Sequence, residues 1–221
     1  NLLTISVTTI TGGGTEYIYA LARELKQDNL FNNMIVAPND GETYIEKFKS
    51  DGITYYSSEI RKISLKTIFK LIKLCKSQKI NLIHSNGKGA GLYSRLINII
   101  LGIPVIHSHH GFHIYNLPFL YRQIYKLSEI VLSRFTAKYI FVSKSEESNF
   151  SKFINVPKSK KIVIYNSINP KRLSIKKLTR KDLKFKKNEI IVISISRISP
   201  EKGLETIINS IPKLLKFNSK N

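Results

Sequence analysis

Tryptophan is absent from this chain, and cysteine occurs once, as Cys75. One cysteine forms no intramolecular disulfide, so packing must hold the fold, and the usage fits a reducing compartment. Long apolar runs are missing too. The longest nearly apolar stretch, Leu96 to Ile106, is broken by Asn98, Gly102 and Pro104. A membrane-spanning helix needs roughly 20 apolar residues, so none is expected. The first residues, NLLTISVTTITGGG, carry no basic segment ahead of the apolar run, which argues against a signal peptide. They also lack Met, which suggests a trimmed chain. Acidic residues are scarce: 15 against 36 Lys and Arg, a formal net charge of +21. Such an excess suits nucleic acid, an anionic membrane surface or a phosphorylated substrate. Heavy use of Lys, Ile and Asn is also what compositional drift produces. Nucleic-acid recognition needs a basic stripe with stacking aromatics. The aromatics here fall mostly on apolar periodic positions, so no specific nucleic-acid partner is expected.

What is present reads as an α/β protein. The 221 residues, 42% of them apolar, suffice for one large domain or two small ones. Short runs rich in Ile and Val predict strands at Leu2–Val7, Met34–Ala37, Ile53–Tyr56, Asn81–His84, Ile103–His107, Tyr139–Val142 and Lys161–Ile164. Between them, apolar residues at helical spacing predict helices over Thr15–Gln27, Glu42–Ser50, about Leu65–Cys75, Gly89–Leu101, Pro118–Phe135 and Ser145–Phe153. Alternating apolar strands and helices imply a Rossmann-like parallel sheet with helices on both faces. The composition changes at Pro170. Residues 171–188 read as a basic linker, with nine Lys or Arg and one Asp in 171–187. A strand at Glu189–Ser194 and a helix at Leu204–Leu215 then open a second, incomplete Rossmann-like domain over 189–221, since some 35 residues cannot bury a core alone.

Ligands of open parallel sheets bind beyond the carboxyl ends of the strands. The polar clusters of this sequence lie there. Gly12, Gly13 and Gly14 precede the first helix, whose N-terminal N–H groups and positive dipole end favour an anion. A dinucleotide fingerprint would need a third glycine where Tyr17 stands, and no Gly-Lys-Ser/Thr follows for a Walker loop. Four of the five histidines lie within HSHHGFH, residues 107–113. A zinc site needs three or four converging ligands, and neither HExxH spacing nor a nearby cysteine supports one. His107 and His109 share a strand parity and read as scaffolding. His110, beside Gly111, is the better candidate for a proton carrier or a hydrogen-bonding partner of a sugar or phosphate. His84, Asn86 and Lys88 end the preceding strand and start its helix. Arg197 and Lys202, flanking Pro200 ahead of a helix, form a phosphate-binding arrangement.

Taken in order, GGTE (13–16), IHSNGKGAGLYSRL (83–96), IPVIHSHHGFH (103–113), Glu129, FVSKSE (141–146), YNSI (165–168) and SRISPEKG (196–203) resemble the motifs of the retaining glycosyltransferases with two facing Rossmann-like domains, the GT-B fold, group 1 or family 4. Ser167, Asn169 and Ile130 depart from the residues usual there. The resemblance implies 1–170 as the acceptor-side domain. It implies transfer of a sugar from a nucleotide-diphosphate donor, with retention, to a lipid-linked or polysaccharide acceptor, as in bacterial surface polysaccharide synthesis. His110 would be catalytic, with Gly13, Gly14, Arg197 and Lys202 on the donor diphosphate. Glu16, His84, Asn86, Lys88, His109, Ser143 and Asn166 would line the cleft. No metal or other cofactor is expected. The location implied is cytoplasmic, with peripheral contact at the inner membrane face, where the basic segment Arg61–Lys79 is one candidate surface. The 221 residues alone are expected to be inactive. The rival reading is a truncated, non-catalytic module binding a nucleotide or phosphosugar.

Overall fold

The computed structural model describes residues 1–28, 31–110, 118–167, 178–186, 189–196 and 198–218. The chain divides into two compact units, 1–167 and 168–221.

In the first unit the order is β1 (Leu2–Ser6), α1 (Gly13–Gln27), β2 (Asn33–Ala37), α2 (Glu42–Ser50), β3 (Thr54–Ser57), α3 (Leu65–Ser77), β4 (Leu82–Asn86), α4 (Lys88–Leu101), β5 (Val105–His109), α5 (Phe119–Leu132), β6 (Lys138–Phe141), α6 (Lys144–Phe153) and β7 (Lys161–Val163). The strands form one sheet in the order β3-β2-β1-β4-β5-β6-β7. Every pairing is parallel. From β1 the chain steps outward to β3, returns to β4 on the other flank of β1, and steps outward again. The switch point of the sheet therefore lies between β1 and β4, where a crevice for ligands opens in folds of this kind.

Both faces are covered, which is why β1 and β2 are buried along their whole length. On one face, Ile18, Tyr19 and Ala22 of α1 pack with Tyr44 and Phe48 of α2 against Ile35. On the other, Leu71 and Cys75 of α3 and Ala90, Tyr93 and Ile97 of α4 pack against Leu3, Ile5, Ile83 and Val105. Phe150 of α6 joins Tyr139 and Phe141 of β6 in a third cluster. The stripe expected on α3 divides. Ile68, Ile72 and Cys75 face inward with Leu71, whereas Leu65 and Phe69 are exposed.

Three of the boundaries that differ from the sequence reading affect the site. β4 and β5 run two residues further, so Asn86 and His109 are strand residues. Their polar side chains hid strands that backbone pairing with both neighbours sustains, Asn86 lying opposite Ser6 and Ser108. α1 begins at Gly13, so two of the three glycines form its first turn.

In the second unit α7 (Leu204–Asn218) forms as expected, after a 3-10 turn over Pro200–Lys202. The strand expected at 189–194 does not. A strand needs a neighbour to receive its N–H and C=O groups, and the described residues of this unit contain no second strand. Ile190, Val192 and Ile193 stay exposed. Of the expected linker, residues 171–177, 187 and 188 lie outside the described residues, as do Asn169 and Arg197.

Candidate active site at the sheet switch point

Five side chains and one glycine converge above the carboxyl ends of β1, β4 and β5. Register sets them. Residue 84 and residue 108 project to the α1 side of the sheet, and the His84 Nε2 lies 2.7 Å from Ser108 Oγ. Tyr17, on the first turns of α1, places its ring 6.2 Å from that of His84 and 4.9 Å from that of His110. Its hydroxyl also meets Ser108, and burial raises its pKa against that hydrogen bond. His110 lies beside Gly14: a Cβ built on Gly14 would sit 3.7 Å from His110 Cγ. The His110 Nε2 is 2.9 Å from Asn86 Oδ1.

That last contact fixes a role. An amide oxygen only accepts, so His110 donates through Nε2 and Nδ1 carries the lone pair. Burial pulls the His110 pKa down to about 4. His84 is likewise at about 4, through burial first and the neighbouring His110 second. Both imidazoles are neutral at pH 7. His110 is therefore suited to accept a hydrogen bond from a hydroxyl, rather than to serve as a standing cation. The Asn86 side chain is 2% exposed, and its Nδ2 has no partner among the described residues. A buried amide donor left open at a crevice is a group waiting for an acceptor oxygen.

α1 brings an uncapped N-terminus to the crevice. Gly12 caps it in extended conformation with no side-chain hydrogen bond, so the first N–H groups of the helix have no capping side chain to satisfy them. A Cβ on Gly13 would meet nothing within 4 Å. Among the described residues the approach to this helix end is open. The loop leading to it is held rigidly. Asp40 accepts from the Thr9 N–H at 2.7 Å and from the hydroxyls of Thr8 and Thr9, and pairs with Arg61. Burial works against the charge of Asp40, but these hydrogen bonds and Arg61 outweigh it and lower its pKa. Gly41 is obligatory beside this loop, since a Cβ there would fall 2.1 Å from the Thr9 carbonyl oxygen.

The other residues singled out in the sequence lie elsewhere. His107 and His109 point to the opposite face, as their shared parity requires. His107 Nδ1 is 2.9 Å from Ser85 Oγ, and its ring rests on Gly91. His109 stacks on Phe141 at 5.4 Å, and burial pulls its pKa to about 3. Lys88 sets its ammonium 4.8 Å from the centre of the Tyr125 ring of α5, and burial lowers its pKa against the pull of Glu129. Glu16 accepts the Tyr44 hydroxyl at 2.6 Å and so ties α1 to α2. Ser143 is the N-cap of α6: its hydroxyl accepts from the Glu146 N–H, and Glu146 returns to the Val142 N–H. Such a reciprocal cap uses the hydroxyl structurally. Asn166 is exposed beyond β7. Lys202 is exposed just ahead of α7. Arg197 and His113 fall outside the described residues. Among the described residues no three His, Cys, Asp or Glu side chains gather as a metal-holding group.

Sequence reasoning missed Tyr17 and Ser108. Both had a signal. Tyr17 occupies the third glycine position of the failed dinucleotide pattern, which faces the strand ends. Ser108 alternates with His107 and His109 and so must share a face with His84.

Comparison with known proteins bears on the family and the fold. The sequence model of Glycosyltransferase Family 4 matches residues 11–172. The chain is 26% identical over 209 residues to the O-antigen biosynthesis glycosyltransferase WbnH of Escherichia coli, covering 91% of this chain and 56% of that protein. It is 28% identical over 145 residues to the UDP-Gal:alpha-D-GlcNAc-diphosphoundecaprenol alpha-1,3-galactosyltransferase of Escherichia coli, covering 63% of this chain and 38% of that one. The chain thus spans about half the length of the curated relatives it matches. In structure it is similar to a glycosyltransferase of Rickettsia africae, with a TM-score of 0.75 at 18% identity over 96% of this chain and 57% of that one. Anabaena Alr3699/HepE in complex with UDP gives 0.63 at 16% identity over 76% and 44%. At these identities the structural likeness speaks for the fold.

Proposed function

The chain belongs to Glycosyltransferase Family 4, and from that premise we propose that it forms the acceptor-side half, residues 1–170, and the start of the donor-side half, residues 189–221, of an enzyme that moves a sugar from a nucleotide-diphosphate donor to a lipid-linked or polysaccharide acceptor with retention. One observation carries the reading: Gly14 at the uncapped end of α1, His110 and the open amide of Asn86 meet at a single point of the crevice. The relatives named for O-antigen synthesis and for a diphosphoundecaprenol acceptor support the substrate classes. HepE, solved with UDP, supports the donor class.

In this reading the diphosphate leaves with developing negative charge. Stabilising that charge is assigned to the α1 N-terminus at Gly13 and Gly14 and to the cations Arg197 and Lys202, and no metal is expected. His110, neutral, accepts a hydrogen bond from a donor-sugar hydroxyl through Nδ1, while Asn86 fixes its ring and offers Nδ2 to an oxygen. The acceptor is proposed to reach the enzyme at the inner membrane face, with the protein peripheral on it. The 221 residues are proposed not to turn over alone.

The test offers UDP-, GDP- and ADP-sugars with a membrane extract to the complete gene product and to this chain, and measures release of nucleoside diphosphate. His110→Ala should lower turnover on the order of a hundredfold, as expected for loss of one oriented hydrogen bond at a reacting centre. Turnover indifferent to His110→Ala removes that residue from the site. A folded gene product that binds a donor without turning it over favours the binding-module reading, and one that does neither leaves only the fold.

Gly13 gives an independent check. Its Cβ position is open, so Gly13→Ala should leave the thermal midpoint unchanged or raise stability by up to about 1 kcal/mol. The same methyl should weaken donor binding on the order of tenfold if the diphosphate approaches that backbone. Calorimetric titration beside a melting curve reads both.

A further inference from the structure

A single hydrogen bond fixes one atom of a ring and leaves the plane of the ring to packing. His110 is tied at one atom, its Nε2 lying 2.9 Å from Asn86 Oδ1. Its backbone lies beyond the strand pairing of β5, which ends at His109. The plane is set by Tyr17. The Tyr17 ring lies against the imidazole at 4.9 Å between centres, tilted by 59°, within the range of packed aromatic pairs, about 4.5–7 Å. Tyr17 is fixed in its turn. It stands in the first turns of α1, where a dinucleotide-binding fold keeps a glycine for close helix–strand packing. Its hydroxyl hydrogen-bonds Ser108, and Ser108 Oγ lies 2.7 Å from His84 Nε2. Its ring also meets the His84 ring edge-on, at 6.2 Å and 83°. Ser108 and His84 belong to β5 and β4 and are closed to solvent. A line of contacts thus runs from the centre of the sheet through His84, Ser108 and Tyr17 to the face of His110.

We propose that Tyr17 is a positioning residue of this site: tethered to the two central strands through Ser108 and His84, it sets the plane of the His110 imidazole so that Nδ1 faces the substrate hydroxyl. The proposal rests on the role given to His110 above and deepens it. Tyr17 acts through His110 and does not itself need to touch the substrate. A tyrosine that only filled space would change stability and leave the turnover of each folded molecule alone, so the two roles part in kinetics.

The test measures turnover in the complete gene product and histidine spectra in the 221-residue chain. Tyr17→Leu should lower kcat about tenfold with the donor KM within about twofold, since a misplaced group weakens the chemical step more than ground-state binding. Tyr17→Phe and Ser108→Ala cut the tether and keep the ring. Each should lower kcat about threefold, and the two together no more than either alone, as for residues acting in one line. In a His110→Ala background Tyr17→Leu should add nothing. Nitrogen-15 spectra at pH 7.5 should show His110 as one tautomer, with the proton on Nε2, in the parent. Tyr17→Leu should show a mixture, because a ring freed from its plane leaves Asn86 for part of the time. A tenfold loss that persists on top of His110→Ala would mean that Tyr17 acts on its own and would overturn the proposal. A hundredfold loss at His110→Ala beside none at Tyr17→Leu would overturn the positioning role and leave the reading of the site intact. Turnover indifferent to His110→Ala would remove both. Should Tyr17→Leu melt early, Tyr17→Phe decides by the same kinetics. Should no donor turn over, the spectra decide, and a pure tautomer surviving in Tyr17→Leu would overturn the clamp.

Discussion

Lowering the pH from 7.5 to 4.5 is expected to unfold the first unit. Four histidines lie at the ends of β4 and β5, and burial lowers the pKa of each, His84 and His110 to about 4 and His109 to about 3, with His107 well below its usual range. The nearby positive charges, Arg95 and Lys88 among them, push His109 further in the same direction. Above the ordinary histidine value of about 6.5 both folded and unfolded chains are neutral at these sites, and no stability is lost. As the pH falls through 6.5 the unfolded chain takes up protons that the folded chain refuses, so stability falls with pH. The loss continues until the native rings protonate, near pH 4 to 3. At pH 4.5 His84, His109 and His110 each cost about 2–3 kcal/mol, and His107 adds in the same direction. Together they approach the whole stability of an ordinary domain, about 5–15 kcal/mol. Asp40 acts in a lower window, since its lowered pKa matters only as carboxylates protonate. Urea midpoints at pH 7.5, 6, 5 and 4.5 would show the slope beginning below 6.5. His109→Leu should flatten it, because its ring sits among Tyr139, Phe141 and Phe150 and a leucine fits that setting uncharged. A midpoint unchanged between pH 7.5 and 4.5 would mean that these rings are hydrated and that the strand ends are open.

The same neutrality shapes the chemistry proposed for the site. A histidine held at about 4 by burial cannot hold a proton at pH 7 for delivery to a leaving group. It can orient a hydroxyl. Stabilising charge on the diphosphate must then come from groups that are always positive or from backbone dipoles, which is the part given to α1, Arg197 and Lys202.

Much of the fold was legible because its strands are pure: Ile35 and Val36, or Ile83, leave no ambiguity about burial on both faces. Where strands end in polar residues the reading stopped short, at His84 and His107, because side-chain polarity says nothing about backbone pairing with a neighbour. Those missed residues, Asn86 and His109, are the ones that decide which way the site faces. Parity alone did group His107 with His109 on one face, since a period of two is independent of chemistry. Lys88 shows the limit of reading by adjacency. It stands two residues from Asn86, yet one turn of chain carries it to the α5 side of the sheet, over Tyr125. The strand expected at 189–194 shows another. Its apolar run is strand-like, but pairing is a property of two segments, and the described part of that unit holds one.

Glu129→Ala is expected to destabilise the first unit by about 3–5 kcal/mol, the ordinary result of stranding one partner of a buried ion pair. Arg95 is 0% exposed, the largest fully buried side chain among the described residues. Its guanidinium gives Nη1 to Glu129 at 2.9 Å and Nε to the Thr136 hydroxyl at 2.9 Å, with the Tyr139 hydroxyl at 3.4 Å. Remove the carboxylate and a full charge remains in a site closed to water. The effect should also be local. α5 buries nothing else completely, so the pair, rather than an apolar stripe, pins this helix to α4. Hydrogen exchange should therefore accelerate first in α5 and the turn after it. Replacing both partners, Arg95→Met with Glu129→Met, should recover most of the loss, because two apolar chains of similar volume need no counter-charge. Denaturant midpoints of the three proteins read this directly. A Glu129→Ala chain within about 1 kcal/mol of the parent would mean that water reaches Arg95.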